Sequence, residues 1–474
     1  MNARKILVSL LALCLILASL SACGNHNKTE PNQAEQTTDA PVDTTPVKIE
    51  DEGVDFWIEN NAGFENATEG AATDFEIESA SGAVTILSYK GTQEHLILPA
   101  TLNGLPVTSI AEGAFAGNLT LKTLIIPESI TAIGKGILAE CENLHALQTP
   151  LMGENKEGAQ YLGYLFGATT HEDNARDIPV SLKCLRITGE WQSLPAYSLF
   201  DCNDIICLAL PENVTVIEKF SIYNGASLRQ IDGLEKIVTF GDRALMNCAD
   251  LQIVTLGNEL ETVGFGTFEG CTSIRALTLP FVGNTRKENT YLGYVFGAAQ
   301  PDFAKGFYPN DLAKITLTNS CQALGNYAFF ECESLKEILL PEGLESIGVR
   351  AFYGCTSLWK LELPNSVSTI REAAFFGCDA LTTIDFGTGL TSIGINAFYN
   401  CDSLAEIVLP STLKSLPASC FAGCIALKTV DLGGVEKVGA EAFRHCRVLA
   451  SVTANQQVEF EKGNDLAKSV FNSK

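Results

Sequence analysis

Ser346-Ile-Gly-Val-Arg-Ala-Phe-Tyr-Gly-Cys-Thr-Ser-Leu358 and Ser392-Ile-Gly-Ile-Asn-Ala-Phe-Tyr-Asn-Cys-Asp-Ser-Leu404 are near copies, two periods of 23 residues apart. Outward from this pair, the leading apolar residue recurs at 121, 144, 182, 205, 228, 251, 274, 312, 335, 358, 381, 404, 427 and 449. The steps are 23 residues, apart from two of 38 and a last one of 22. A short fixed period describes a solenoid, in which each coil buries its apolar edge only against its neighbours.

Within each unit, a stretch such as Leu335-Lys-Glu-Ile338-Leu-Leu340-Pro341 alternates at its end and reads as a short strand with one buried face. Pro127, Pro150, Pro211, Pro280, Pro341, Pro364 and Pro410 share one column and mark where strand pairing stops, because proline has no N–H to donate. All coils run the same way, so the strands stack in parallel, ~4.8 Å apart. The second half of the unit carries a Phe column, filled by Phe115, Phe268, Phe329, Phe352, Phe375, Phe398, Phe421 and Phe443 and elsewhere by aliphatic residues. Three residues later comes Cys in ten of twelve units, with Asn118 and Gly225 as the exceptions.

The unit Ile-Gly-x-x-Ala-Phe-x-x-Cys-x-x-Leu-x-x-Ile-x-Leu-Pro resembles the BspA-like leucine-rich repeat of bacterial surface lipoproteins, over roughly residues 76–454. The resemblance implies a right-handed leucine-rich repeat solenoid. The resemblance also implies a parallel β-sheet on one face; counted from the columns, there are about fourteen coils of 23 residues, with few or no long helices. Five regions are expected: a signal peptide (1–22), an acidic tether (23–53), an N-terminal capping segment with the first coil (54–120), the solenoid proper (121–454) and a C-terminal cap or tail (455–474). Gly82-Ala-Val-Thr-Ile-Leu-Ser-Tyr89 is similar to that family's opening segment and reads as a cover for the first coil.

The two 38-residue coils contain nearly the same octapeptide, Tyr161-Leu-Gly-Tyr-Leu-Phe-Gly-Ala168 and Tyr291-Leu-Gly-Tyr-Val-Phe-Gly-Ala298. Extra residues in a solenoid emerge as loops on one face, often the binding face. Tyr161, Tyr164, Tyr291 and Tyr294 are therefore candidate loop contacts. The structural alternative is a bulge in which Phe166 and Phe296 take the core Phe position.

The basic start Met1-Asn-Ala-Arg-Lys5, the apolar run Ile6–Ala18 and Leu20-Ser-Ala-Cys23-Gly24 have the order of a signal peptide. Its end looks like a bacterial lipobox, which would make Cys23 the lipidated first residue of a membrane-anchored chain, at the cell surface or another extracytoplasmic membrane face. Residues 24–78 hold fourteen acids against Lys28 and Lys48, a net of −12 within a full-chain charge of −24. Such a segment is expected to stay extended and stand off an anionic surface. The acidic balance argues against nucleic acid as a partner, which needs clustered Lys and Arg.

Ten of the sixteen cysteines form the core column. Stacking brings their Cα atoms within disulfide range, but in-register side chains point the same way and hold Cβ atoms beyond the usual ~3.8 Å. Buried thiols, packed as small hydrophobes, are expected there. Cys184 and Cys207 fall in one outward column of adjacent strands and are candidates for exposure; a bond or a reactive pair between them is the less favoured reading. Cys321 and Cys420 lie outside both columns.

No catalytic constellation stands out. The five histidines form no His-x-x-x-His pair, no Cys-x-x-Cys occurs, and neither a phosphate-binding Gly-rich loop ending in Lys-Ser/Thr nor Gly-x-Ser-x-Gly is present. Neither a metal nor a cofactor is expected. His171-Glu-Asp-Asn-Ala-Arg-Asp177 reads as a solvated loop because Arg176 sits among its acids. The outward strand columns are the better place for a ligand. There Trp359 stands amid Lys336, Lys360, Glu362 and Asp385, an aromatic anchor with a charged rim; the structural alternative is lateral packing of the ring on a neighbouring side chain. A stripe of Phe200, Tyr223, Met246, Phe330, Tyr353, Phe376 and Tyr399 follows the Phe column and reads as a second packing layer. These features describe a lipid-anchored, non-enzymatic solenoid that binds protein or glycan; the resemblance adds adhesion and host or matrix contact. The alternative is an interaction module that organises envelope proteins.

Overall fold

The computed structural model describes residues 64–288 and 290–473. These build a solenoid with two rows of short parallel strands, almost no helix, and one continuous apolar core between the rows. In the first row, seventeen strands run from Thr68–Glu69 to Phe471–Ser473. Register follows the repeat: Leu185 pairs with Leu208, Ile315 with Ile338, and Leu361 with Ile384. The second row is made of two-residue strands such as Ser346–Ile347, Thr369–Ile370 and Ser392–Ile393.

Seventeen strands exceed the fourteen coils that the sequence columns predict, and the excess lies at the ends. Thr68–Glu69 and His95–Ile97 join the first row ahead of residue 121, in register with Thr123–Ile125. The coil they begin is lengthened by a local hairpin, Thr101–Leu102 against Leu105–Pro106, whose turn residues Asn103 and Gly104 both take positive φ. Beyond residue 454, Glu459–Phe460 and Phe471–Ser473 add one strand to each row. The outermost coils lack the Phe and Cys columns, and the coil of His95–Ile97 keeps Phe115 but has Asn118 in the Cys position.

The N-terminal end is closed by a hairpin. Phe75–Ala80 pairs antiparallel with Ala83–Tyr89, which then pairs in parallel with Leu105–Ile110. Phe75, Tyr89 and Phe115 stack in sequence at 5.3 and 5.4 Å, so the cap continues the Phe column, while Glu76 and Glu78 keep polar side chains on the outer strand.

Further along, Phe329, Phe352, Phe375, Phe398 and Phe421 form a ladder of stacked rings with centroids 4.9–5.2 Å apart. A second ladder, Phe330, Tyr353, Phe376 and Tyr399, runs beside it at 4.8–5.1 Å. Where the Phe column turns aliphatic at Leu245, the ring volume is supplied five residues earlier by Phe240, which is buried and tilts against Phe268 at 6.1 Å.

The cysteine column is buried and reduced, and it does more than fill space. Cys248, Cys271, Cys355, Cys378, Cys401 and Cys424 each donate a thiol hydrogen bond of 3.2–3.3 Å to the carbonyl of the Phe-column residue one coil back. The same carbonyl also accepts the turn N–H three residues on, as Phe352 does from Cys355. A buried carbonyl with two lone pairs is thus satisfied from both coils. Cys420 takes the place of the small residue before the Phe position, where Ala351, Ala374 and Ala397 sit in other coils, and Cys321 is also buried. Burial pushes the Cys141 and Cys321 thiols up to about 11 and the Cys332 thiol up to about 12.

Candidate ligand face

The outward side of the first row is the largest regular surface on which the repeat can display varied side chains. Its hydrogen-bonded ladder is interrupted three times: between Asp232 and Ile253, between Leu339 and Lys360, and between Asp385 and Glu406. The last two breaks isolate a two-strand ladder, Lys360–Glu362 with Thr383–Asp385. Exposed Lys360, Glu362 and Asp385 stand here on adjacent rungs, with Glu362 directly beside Asp385 and Lys360 paired to Glu362 at 2.5 Å. Lys336 is half-buried at the preceding coil. Leu339 and Val408, on the strands flanking the pair, are 50% and 57% exposed.

Trp359 is not the free anchor that the sequence suggests. It lies one residue ahead of the strand, is half-buried, and its indole Nε1–H is enclosed with no acceptor among the described residues. Its backbone completes the stack instead: the carbonyl accepts the N–H and the hydroxyl of Thr382.

The break after Asp385 opens a depression of about 350 Å³, lined by Ile384, Asp385, Gly387, Thr388 and Val408–Ser411. Ile384 is half-buried, whereas Leu361 and Ile407 in the same column are 1% exposed. The coil differs from its neighbours in sequence. Asp385-Phe386-Gly387 stands where Glu362-Leu363-Pro364 and Val408-Leu409-Pro410 stand in the coils on either side. Gly387 adopts φ +61°, and its N–H, absent in proline, donates to Asp385 Oδ1 at 2.9 Å. Phe386 fills the Leu position and packs edge-on against Phe398 at 5.6 Å.

In the two long coils, the duplicated octapeptide replaces the usual second half of the unit. Leu165 and Val295 accept hydrogen bonds from Leu138 and Phe268 of the preceding coil, and Phe166 and Phe296 enter the core. The candidate tyrosines are structural in geometry. Tyr161 donates its hydroxyl to the Thr169 carbonyl and Tyr291 to the Ala298 carbonyl, both at 2.9 Å. Each packs edge-on against its partner, Tyr164 or Tyr294. Gly163 lets the Asn174 side chain seat against the backbone, accepting the Gly163 N–H at 3.0 Å and donating to the Phe200 carbonyl. The acidic loop around Arg176 closes on itself, with that guanidinium 2.7 Å from both Asp173 and Asp177. The later insertion differs: Phe303 and Phe307 are 63% and 41% exposed there, a feature that the repeat columns do not reveal because both residues lie outside them.

Parallel strands at a 23-residue pitch, the Phe and Cys columns and the recurring Ile-Gly turn agree with a match to the BspA type leucine-rich repeat region over residues 91–156, 179–292, 304–428 and 349–464. The chain belongs to this family. Solved leucine-rich repeat structures resemble it at low identity. A protein from Bacteroides ovatus is 19% identical, covering 82% of this chain and 98% of its own, with a TM-score of 0.32. A leucine-rich cell surface protein from Faecalibacterium prausnitzii is 22% identical, covering 75% and 92%, with a TM-score of 0.31. The pneumococcal vaccine antigen PcpA is 16% identical, covering 84% and 95%, with a TM-score of 0.32. No curated protein matches the chain.

One part of this BspA-type strand face is already occupied by the chain itself. Phe64 lies over Ala146, Cys184 and Cys207, and the Arg186 guanidinium stacks on its ring at 4.4 Å. Cys184 and Cys207 are therefore buried, not exposed as their outward column suggests, and they are joined as a disulfide across paired rungs with Cα atoms 4.9 Å apart. A residue far from the strand in sequence covers it, so strand alternation alone cannot report this burial. Cys23 and the acidic tether lie outside the described residues.

Proposed function

We propose that the chain is a lipid-anchored, extracytoplasmic protein-binding module whose partner docks on the outward strand face around Lys360–Asp385. The isolated ladder there carries this reading: exposed Leu339 and Val408 flank charged Lys360, Glu362 and Asp385, a mixture suited to a partly apolar contact with a polar rim. Membership in a repeat family with no catalytic constellation in this sequence supports binding over catalysis. The resemblance to surface lipoproteins and the Leu20-Ser-Ala-Cys23 sequence support the anchor, and adhesion or host contact is the finer form of the proposal.

Two experiments test it. Cys23→Ala should abolish lipid incorporation and release the chain from the membrane fraction; normal lipid labelling of the mutant removes the anchor. Crosslinking on intact cells, followed by capture of the chain, should recover a specific partner. Val408→Asp combined with Lys360→Glu should reduce that capture about tenfold or more, as expected where interface residues lose about 1.4 kcal/mol. Capture unchanged in a folded double variant moves the site off this face. A partner of the cell envelope, in place of a host or matrix component, would redirect the reading from adhesion to envelope organisation.

A further inference from the structure

We infer that the depression between Asp385 and Val408 is a socket for a cationic side chain, arginine or lysine, of a partner protein. This rests on the strand face being the docking surface, and adds what it recognises. Ile384, Val408, Leu409 and Pro410 supply most of the wall, with the hydroxyl residues Thr388 and Ser411 among them, and Val408 is more than half exposed. The rim carries a carboxylate. Asp385 spends Oδ1 on the Gly387 N–H, and Oδ2 has no partner among the described residues. Lys360, on the strand paired with that of Asp385, is engaged by Glu362.

An apolar trough with a single carboxylate at its lip matches an aliphatic stem ending in a cation. The stem covers Ile384 and Val408 while the head remains at the wet rim. A neutral apolar side chain would leave the carboxylate unpaired, and an acidic one would be repelled. The sign of the whole chain, −24, favours the approach of a basic partner surface. The socket lies where the ladder is unpaired and where Ile384, the central strand residue, is half-buried, although the central residues at the other two breaks are buried.

The test uses the full chain in detergent micelles, with isotope-labelled Ile and Val methyl groups, titrated with three probes: N-acetyl-arginine amide, N-acetyl-lysine amide and N-acetyl-norleucine amide. The cationic probes should shift the Ile384 and Val408 methyl signals saturably, and norleucine amide should bind about threefold or more weaker, the modest preference expected of a partly solvated ion pair. Asp385→Asn should erase that difference while leaving distant methyl signals in place. Equal titration by all three probes makes the depression an apolar niche and overturns the socket. So does a cation response spread evenly over the acidic surface, or no shift at Ile384 and Val408 at all. The probe comparison on the unmutated chain decides even if the variant fails to fold. Cell capture retained with no probe response removes the socket alone; probe response retained with no captured partner removes the docking reading and leaves the socket.

Discussion

Raising the pH to between about 9 and 10 under reducing conditions is expected to unfold the solenoid. The described residues hold twelve free cysteines, all buried. Burial raises eleven of these thiols, Cys141 to about 11 and Cys332 to about 12, because a thiolate has no water to solvate it there. In the unfolded chain each titrates near ~8.5. The folded value lies above the unfolded one, so the protonated thiols contribute stability that is fully present below about pH 8.5 and is lost as pH rises toward the folded values. At pH 9 the loss is about 0.8 kcal/mol per thiol, from RT ln(1 + 10^(pH − pKa)). Over these eleven thiols this approaches ~9 kcal/mol, the scale of a domain's whole stability, ~5–15 kcal/mol. Urea unfolding followed by circular dichroism from pH 7 to 10.5 should show stability falling ever more steeply. Each column cysteine replaced, as in Cys378→Ala, should reduce the slope by about one proton. Stability flat to pH 10.5 would mean the thiols are already ionised or exposed when folded.

Phe375→Ala should cost about 3–5 kcal/mol. The ring is fully buried and stacked on Phe352 at 4.9 Å and on Phe398 at 5.1 Å, so truncation removes a rung between two rungs. The Phe375 carbonyl still accepts from the Cys378 N–H and the Cys401 thiol, because those bonds use only the backbone of residue 375. The loss is therefore one of packing. Because coils contact only neighbours, amide hydrogen exchange should accelerate most in the coils around residues 352–398 and little near the N-terminal cap. Phe443→Ala, whose ring contacts Phe421 at 5.9 Å near the end of the ladder, should cost less. Exchange rising evenly along the whole chain would contradict a near-neighbour stack.

The period of 23 residues made the architecture legible, since a strand that must stack on a copy of itself repeats its buried residues at a constant spacing. Phe352, Cys355 and Leu358 could be placed in the core from their columns alone. The coils at the two ends could not be counted, because Thr68–Glu69 and Phe471–Ser473 pair through backbone groups that any sequence possesses. The candidate face was legible as a set of outward positions: Lys360, Glu362 and Asp385 are exposed on adjacent rungs. The half-burial of Trp359 agrees with its packing alternative, whereas the burial of Cys184 under Phe64 was not legible in the strand pattern.

By itself, then, the sequence determined the repeat, the direction of the strands and the identity of the core columns, all of which depend on local spacing and on contacts with the next coil. Only the tertiary structure decided which outward residues are free. It closed the Tyr161 and Tyr291 hydroxyls onto carbonyls, laid Phe64 over the disulfide, and opened the ladder beside Asp385. These depend on how far one coil rises above the last and on what residue from elsewhere lies across it. A period cannot carry that information, because every coil obeys the same period whether its surface is covered or open.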